Sequence, residues 1–321
     1  MKPDSKILQQ FGSKNVVIIG DLMLDKYIFG NVDRISPEAP IPVVAVTAEK
    51  YVPGGAANVA VNVSTLGGNA HLLGVVGNDT AKHKLLESIA GFKITADGII
   101  TNKDKSTIQK VRVIGHNQQL LRIDYEDTKY TDTYIKGQFV EILEKIEHIS
   151  AVIVSDYAKG TITMEFMKNL QSFIKDRDIP LIIDPKPVHK EMYKDAFLIT
   201  PNKKEVEALS GIKIQSEADI EKAGKKLMQE LNSNVIITLG DKGMAVFTRG
   251  KEIVHIDTVA KEVYDVSGAG DTAVASLGLA IGAGADLIEA AKIANAAAGI
   301  KVGKVGTAPV YLKELSDGIC Q

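Results

Sequence analysis

The run Asp265-Val-Ser-Gly-Ala-Gly-Asp-Thr272 leads into an apolar stretch beginning near Ala273, and its residue types suit a phosphate. Glycines at 268 and 270 clear the backbone of side chains. A helix starting there leaves its first N–H groups without intrahelical partners, and its dipole adds partial positive charge. Gly268, Ala269 and Gly270 therefore read as a cradle for an anion. Asp271 stands at the edge of that cradle, where a carboxylate repels phosphate, so another task suits it: accepting a proton from an attacking hydroxyl. Phosphoryl transfer passes through a loose transition state, so placing the hydroxyl and stabilising the transferred charge outweigh base strength. An ordinary helix N-cap would also explain an Asp here.

A second stretch, Gly54-Gly-Ala-Ala-Asn58, again puts glycines ahead of a helix. Asn58 can donate to and accept from sugar hydroxyls, though a helix start with close backbone packing explains the same residues. Gly20-Asp21 and Asp25 follow the first apolar run, at the carboxyl edge where open α/β sheets bind ligands; a turn or cap is the plainer reading of either carboxylate.

Chemistry of this kind needs a rigid frame, and the chain has the pattern for one. Short β-branched runs at Asn15 to Ile19, His71 to Val76, Ala151 to Val154, Leu181 to Ile183, Phe197 to Ile199 and Val235 to Leu239 read as strands of a mainly parallel sheet. Between them Ala56 to Leu66, Thr133 to His148, Thr163 to Lys175 and Ser216 to Leu231 are amphipathic, giving the alternation of a doubly wound α/β domain. The last third adds a hairpin over Met244 to Ile256 and two Ala/Gly-rich helices around Thr272 to Ala283 and Leu287 to Lys301. Two segments break the rhythm. One is about 26–51, with Ile41 to Val46 its clearest strand; the other is about 106–125, where Lys110 to Ile114 and Gln119 to Tyr125 read as a hairpin. Both are expected to project as a small β lid from a single domain spanning 1–321.

With 45% hydrophobic and 24% charged residues, the 321-residue chain can bury a sizeable core. Its net charge of −2 comes from interspersed acids and bases, without the stripe that nucleic acid would require. The single cysteine, Cys320, allows no disulfide framework and no cysteine metal site within one chain. The N-terminal MKPDSKILQQFGSKN lacks a signal-peptide core, and no apolar run approaches the ~20 residues that span a bilayer. The expectation is a cytoplasmic protein acting on a small molecule. A dinucleotide-dependent oxidoreductase is excluded, since Gly20-Asp-Leu-Met-Leu-Asp25 offers no G-x-G-x-x-G after the first strand.

Together, the DxxGAGD run at 265–271, the GGxxN run at 54–58 and Gly20-Asp21 resemble the ribokinase/PfkB family of carbohydrate kinases. The resemblance takes in Asn202-Lys-Lys-Glu205, similar to the family's NxxE motif, Thr238-Leu-Gly-Asp-Lys-Gly243, similar to its nucleotide-binding turn, and Asn295. It covers roughly residues 10 to 310. It implies a ribokinase-like three-layer αβα sandwich with a mainly parallel sheet and a β lid, using ATP and Mg²⁺. It further implies Asp271 as base, Gly268, Ala269 and Gly270 as anion hole, and Asn202 and Glu205 near the Mg²⁺–phosphate region. Thr238, Gly240, Gly243 and Asn295 would contact ATP, and Asp25 and Asn58, beside Gly54 and Gly55, the sugar. Mg²⁺ leans on substrate phosphates and waters, so Glu205 is expected to act on it indirectly. Family members respond to a monovalent cation near the anion hole; Asp265 and Ser267 occupy the matching start of that loop, which makes K⁺ a candidate ion.

Within the family, Arg34-Ile-Ser-Pro-Glu-Ala-Pro-Ile-Pro-Val-Val44, Tyr51-Val-Pro-Gly-Gly-Ala-Ala-Asn58, Asn117-Gln-Gln-Leu-Leu-Arg122, Ser155-Asp-Tyr-Ala-Lys-Gly160 and Asp184-Pro-Lys186 resemble one branch. Its acceptor is a sugar already carrying a phosphate at its far end. Similar two-domain enzymes continue into a nucleotidyltransferase domain outside this match, which implies a separate adenylyltransferase acting downstream. A far phosphate asks for Arg or Lys. Lys159 and Lys186 follow strand ends, and Arg34, Arg112 and Arg122 lie in the expected lid; each would otherwise be a solvated surface charge. Asp156 suits a sugar hydroxyl or a turn cap, and Asn117, Gln118 and Gln119 suit hydroxyls or a hairpin tip. Lid closure would keep water from competing as phosphoryl acceptor. Exposed lid edges are expected to pair in a homodimer. The alternatives are a kinase for another sugar, sugar phosphate or nucleoside, and a catalytically idle regulator that binds sugar or nucleotide on the same fold.

Overall fold

The computed structural model describes residues 5–116, 118–130, 133–260, 263–304, 306 and 308–320; Asn117, at the expected hairpin tip, lies outside them. In chain order the strands are β1 (Asn15–Gly20), β2 (Leu22–Ile35), β3 (Pro42–Gly55), β4 (Asn69–Val76), β5 (Ile94–Thr101), β6 (Ile108–Gly115) and β7 (Gln118–Tyr125). They continue as β8 (Ile149–Ser155), β9 (Leu181–Asp184), β10 (Leu198–Ile199), β11 (Asn234–Thr238), β12 (Met244–Phe247) and β13 (Val254–Ile256).

One sheet has the order β13-β12-β11-β10-β9-β8-β1-β4-β5. Neighbours from β11 to β5 run parallel, and β12 and β13 add antiparallel at one edge. Side chains alternate along β1, so Val16 and Ile18 enter one apolar cluster and Val17 and Ile19 the other. Burial on both faces requires helices on both. Ala56–Thr65, Ala269–Gly282 and Leu287–Val302 cover the first, and Met164–Lys175 and Glu217–Leu231 the second. This is the expected αβα sandwich.

Local chemistry sets the helix starts. Thr163 accepts from Phe166 N, and Ser216 with Asp219 forms a capping box. The strand read at Phe197 to Ile199 begins one residue later, and β5 and the helices Thr80–Ile89 and Lys203–Ser210 were not anticipated. β5 carries Gly98 and pairs with β4 across a register shift, so its alternation is too broken to read locally.

A second sheet, ordered β3-β2-β6-β7, stands apart from the first. β2 and β3 are antiparallel ribbons of 14 residues each, longer than Ile41 to Val46 suggested. Pairing with β2 holds the polar residues 47–55 extended, and Pro53 is tolerated because β3 is an edge strand. β6 joins β2 in parallel and turns back as β7, the expected hairpin.

Asp21 joins the two sheets. Fully buried between β1 and β2, its carboxylate accepts backbone N–H bonds from Tyr157 (2.9 Å), Lys159 (3.0 Å) and Thr161 (3.1 Å). It pins the loop that follows β8. Asp21→Ala leaves these amides unpartnered and should destabilise the protein by about 3 kcal/mol, since each orphaned buried donor costs roughly 1–3 kcal/mol. Urea unfolding measures the loss, and amide exchange should be fastest at residues 157–161.

Candidate active site

The helix Ala269–Gly282 starts where the glycine run predicts, and its N-cap is Gly268 at φ 79°, a left-handed conformation that suits glycine. Asp271 is therefore not the N-cap. It occupies the third helical position, inside the first turn. Gly270 and Asp271 lie among the positions whose N–H groups lack intrahelical acceptors. The Ala269 N–H bonds Val266 O at 3.2 Å, and the cavity is lined by Gly268 and Gly270 on either side of it.

Asp271 is buried, and both carboxylate oxygens are held. Asn58 Nδ2 donates to Oδ2 at 2.6 Å, and the Tyr157 hydroxyl donates to Oδ1 at 3.1 Å. Asn58 is itself fixed: Asn62 Nδ2 donates to its carbonyl at 2.8 Å, and Thr272 Oγ1 donates to Asn62 Oδ1 at 2.9 Å. Gly55, at φ 56°, caps the helix that presents Asn58. Burial pushes the Asp271 pKa up to about 6, against the opposing pull of the two donors. The Asp271 charge, with burial, raises Tyr157 well above its ordinary value, so Tyr157 stays protonated and donating.

A cavity of about 170 Å³ opens in front of this carboxylate, lined among others by Asp184, Lys186, Asn202, Glu205, Thr238, Gly268 and Gly270. The first sheet's strand ends meet the glycine turn here. Asn202 and Glu205 form a capping box at 3.0 Å in both directions, and Lys186 Nζ bonds Glu205 Oε1 at 2.5 Å. Burial works against the Lys186 ammonium, but its bond to Glu205 and the nearby carboxylates leave its pKa raised.

Residues on the second sheet approach the same region. Asp25 Oδ1 accepts from Arg112 Nη1 at 2.8 Å, and Gly54 faces Asp25 so closely that a Cβ there would lie 3.1 Å from its Oδ2. Lys110 and Arg112 share one face of β6, and Arg122 stands directly opposite Arg112 on β7. Lys110 and Lys186 both lie against the Tyr157 ring, at 5.5 and 5.2 Å from its centre. Burial lowers the Lys110 pKa.

Several expected contacts take other partners. Asp156 is fully buried, accepting from Tyr193 OH at 2.7 Å and Ala158 N at 2.7 Å and bonded to His189 Nδ1 at 2.6 Å. That corrects its reading as a sugar ligand. Lys159 pairs with Glu126 at 2.6 Å beside the second sheet. Asn295 is buried and donates to Asp257 O at 2.8 Å, outside the cavity lining. Gly240 and Gly243 both have positive φ in the turn after β11 and also lie outside that lining. Arg34 sits near the far end of β2 and is exposed. Sequence reasoning missed Tyr157, Asp184 and Lys110 as site residues; the first two stood inside recognised motifs with no chemistry assigned to them.

Glu205 has one oxygen on Lys186 and the other on the Asn202 N–H, so direct ligation of a metal would compete with both bonds. Asp184 lines the cavity, and burial with the charges of Glu205 and Asp271 raises its pKa well above the carboxylate range. Carboxylates crowded in this way fit a divalent cation that also rests on phosphate and water. Among the described residues no cluster of His, Cys, Asp or Glu is arranged to hold a metal by itself. Groups at the 265–267 loop already have protein partners. Asp265 Oδ1 accepts the Ser267 N–H at 2.8 Å and Oδ2 the Gly306 N–H at 3.0 Å, while the Gly306 carbonyl receives the Lys301 ammonium at 2.6 Å.

Comparison with known proteins places this arrangement. The family described as "pfkB family carbohydrate kinase" matches residues 13–313. "Bifunctional protein HldE" of Geobacter sulfurreducens is 41% identical over 306 residues, which are 95% of this chain and 62% of that protein. The chain thus spans less than two thirds of that relative's length. Arabidopsis thaliana ribokinase complexed with ribose and ATP superposes with TM-score 0.77 at 21% identity, covering 99% of both chains. Escherichia coli phosphofructokinase-2 in complex with potassium does so with TM-score 0.76 at 19% identity, covering 96% of this chain and 98% of its own. These two likenesses establish the fold.

Because the pKa of Asp271 is higher in the fold than its ordinary 3.8, the stability its protonated form contributes is present below pH 3.8 and lost as pH rises through about 6. Asp271→Asn removes that loss. At pH 7.5 it should be more stable than the parent by on the order of 1–3 kcal/mol, with the gap closing toward pH 4. Thermal unfolding at the two pH values tests this; a gap independent of pH refutes it.

Proposed function

This chain belongs to the pfkB family of carbohydrate kinases, and we propose that it transfers the γ-phosphate of ATP to the anomeric C1 hydroxyl of D-glycero-β-D-manno-heptose 7-phosphate, giving the 1,7-bisphosphate used in ADP-heptose synthesis. The observation that carries the phosphoryl-transfer step is the convergence of Asp271 with the glycine turn at one cavity. The choice of acceptor rests on the motifs at 34–44, 51–58, 117–122, 155–160 and 184–186, which resemble those of heptose 7-phosphate kinases, and on the HldE relative.

In this reading the sugar hydroxyl approaches Asp271 from the cavity. Asn58 and Tyr157 hold the carboxylate by one oxygen each, so its remaining lone pairs point at the incoming O–H. With a pKa near 6 it is ionised at neutral pH and a better base than an exposed Asp. As the C1 oxygen bonds to phosphorus, its proton passes to Asp271 and the ADP oxygen leaves. Gly268 and Gly270 give the transferred phosphoryl group a side-chain-free approach to the helix dipole. Mg²⁺, held by the nucleotide phosphates near Asp184 and Glu205, would supply charge neutralisation. Lys186, paired with Glu205 at the cavity wall, keeps a second cation within reach of the phosphates.

The second sheet supplies a lid in this scheme. Lys110, Arg112 and Arg122 share a face that would receive the 7-phosphate, with Asp25 turned to a sugar hydroxyl and Arg112 linking the two tasks. β3 and β7 are the edges of this sheet, and Leu120, Leu121, Ile123 and Tyr125 on β7 are exposed. A homodimer that pairs the two lids would cover that surface. Among the described residues no helix is long and apolar enough to cross a membrane, which suits the cytoplasmic location proposed here. A separate adenylyltransferase would act downstream, after removal of the 7-phosphate.

A panel of sugars and sugar phosphates with ATP and Mg²⁺ tests the acceptor. Heptose 7-phosphate should give the highest kcat/KM, and Asp271→Asn should lower kcat by about 10²–10⁴ while ATP still binds. Activity confined to ribose or fructose phosphates would reject the acceptor; full turnover by the variant would reject the base. Light scattering at assay concentration should give twice the chain mass, and Leu121→Asp should halve it.

A further inference from the structure

A buried ammonium lies behind the glycine turn. Lys301, in the last turn of the helix Leu287–Val302, is 1% exposed, and its Nζ donates to Gly306 O at 2.6 Å. The segment around it is tied to the start of the 265–270 loop. The N–H groups of Tyr264 and Asp265 donate to Val302 O at 2.8 and 3.2 Å, and the Gly306 N–H donates to Asp265 Oδ2 at 3.0 Å. A lysine near a helix C-terminus is favoured by the dipole, but that benefit is available at the surface and does not account for burial. Desolvation lowers the Lys301 pKa, while Asp265 and Asp271 pull it upward, so the ammonium feels the charge of both carboxylates. The Gly306 carbonyl thus receives this ammonium, while each Asp265 oxygen accepts a backbone N–H.

We propose that Lys301 is a built-in cation: its ammonium, seated on the Gly306 carbonyl behind the 265–270 loop, holds that loop in shape and keeps it electropositive, so that phosphoryl transfer proceeds without a dissolved monovalent ion. Lys301 touches no substrate and acts as a positioning residue through Gly306 and Asp265. The inference rests on phosphoryl transfer at residues 268–271 and is independent of which sugar is the acceptor.

The test compares the full-length protein in potassium, sodium and choline chloride at constant ionic strength, by turnover and, without substrates, by thermal unfolding. The parent should give the same rate in all three salts within about twofold, and Lys301→Ala should lose about tenfold or more in choline and recover with potassium or methylammonium. Potassium should raise the melting temperature of Lys301→Ala alone, leaving the parent and Lys301→Arg unmoved. Potassium stimulation of the parent by about tenfold, or undiminished turnover of Lys301→Ala in choline, overturns the proposal. If Lys301→Ala does not fold, the parent and Lys301→Arg decide: salt-independent rates support the built-in cation and potassium stimulation of either rejects it. The unfolding measurement needs no acceptor, so a wrong sugar assignment leaves it readable.

Discussion

A carboxylate with no exposed face is unstable as an anion unless donors meet it, and the arrangement around Asp271 answers that constraint. Asn58 and Tyr157 reach it from opposite sides, one from the first turns of a helix and the other from the loop after β8. Each donor has its own support. Gly55 starts the helix that carries Asn58, Asn62 and Thr272 brace Asn58 from behind, and Asp21 clamps the loop that carries Tyr157. The carboxylate is thereby held in one orientation, while burial raises its pKa to about 6 against the pull of both donors.

The same region mixes charges of both signs at close range. Asp184, Glu205 and Asp271 line one cavity with Lys186, and the ammonium groups of Lys186 and Lys110 both lie against the Tyr157 ring. Lys186 is neutralised by Glu205, whereas Asp184 is left in a field that disfavours its ionised form. A divalent ion would relieve the crowding of carboxylates around Asp184. The second sheet adds a cluster of basic residues on one face of β6 and β7.

Where local chemistry decided the outcome, the sequence was legible. The glycine run before Asp271, the β-branched runs of the parallel strands and the amphipathic stretch from Ser216 to Leu231 each determine a conformation locally, and each appears as expected. The failures share a cause. β5 and the far half of β3 have weak strand patterns and are extended because a neighbour pairs with them. Asp156 and Lys159 both follow β8, yet the chain turns one into the interior toward His189 and sends the other to Glu126. No spacing rule distinguishes those two directions.

The sequence alone determined the sheet, the glycine turn and the identity of the central acid, because these follow from periodicity, backbone freedom and the repulsion between carboxylate and phosphate. Only the tertiary structure decided which groups surround that acid. Asn58 lies 213 residues from Asp271 and Tyr157 lies 114, and Lys301 meets the glycine loop through a turn that local patterns do not reveal. Hydrogen-bond partners brought together by packing over such separations leave no periodic trace, and it is they that set the charge, orientation and proton affinity of the site.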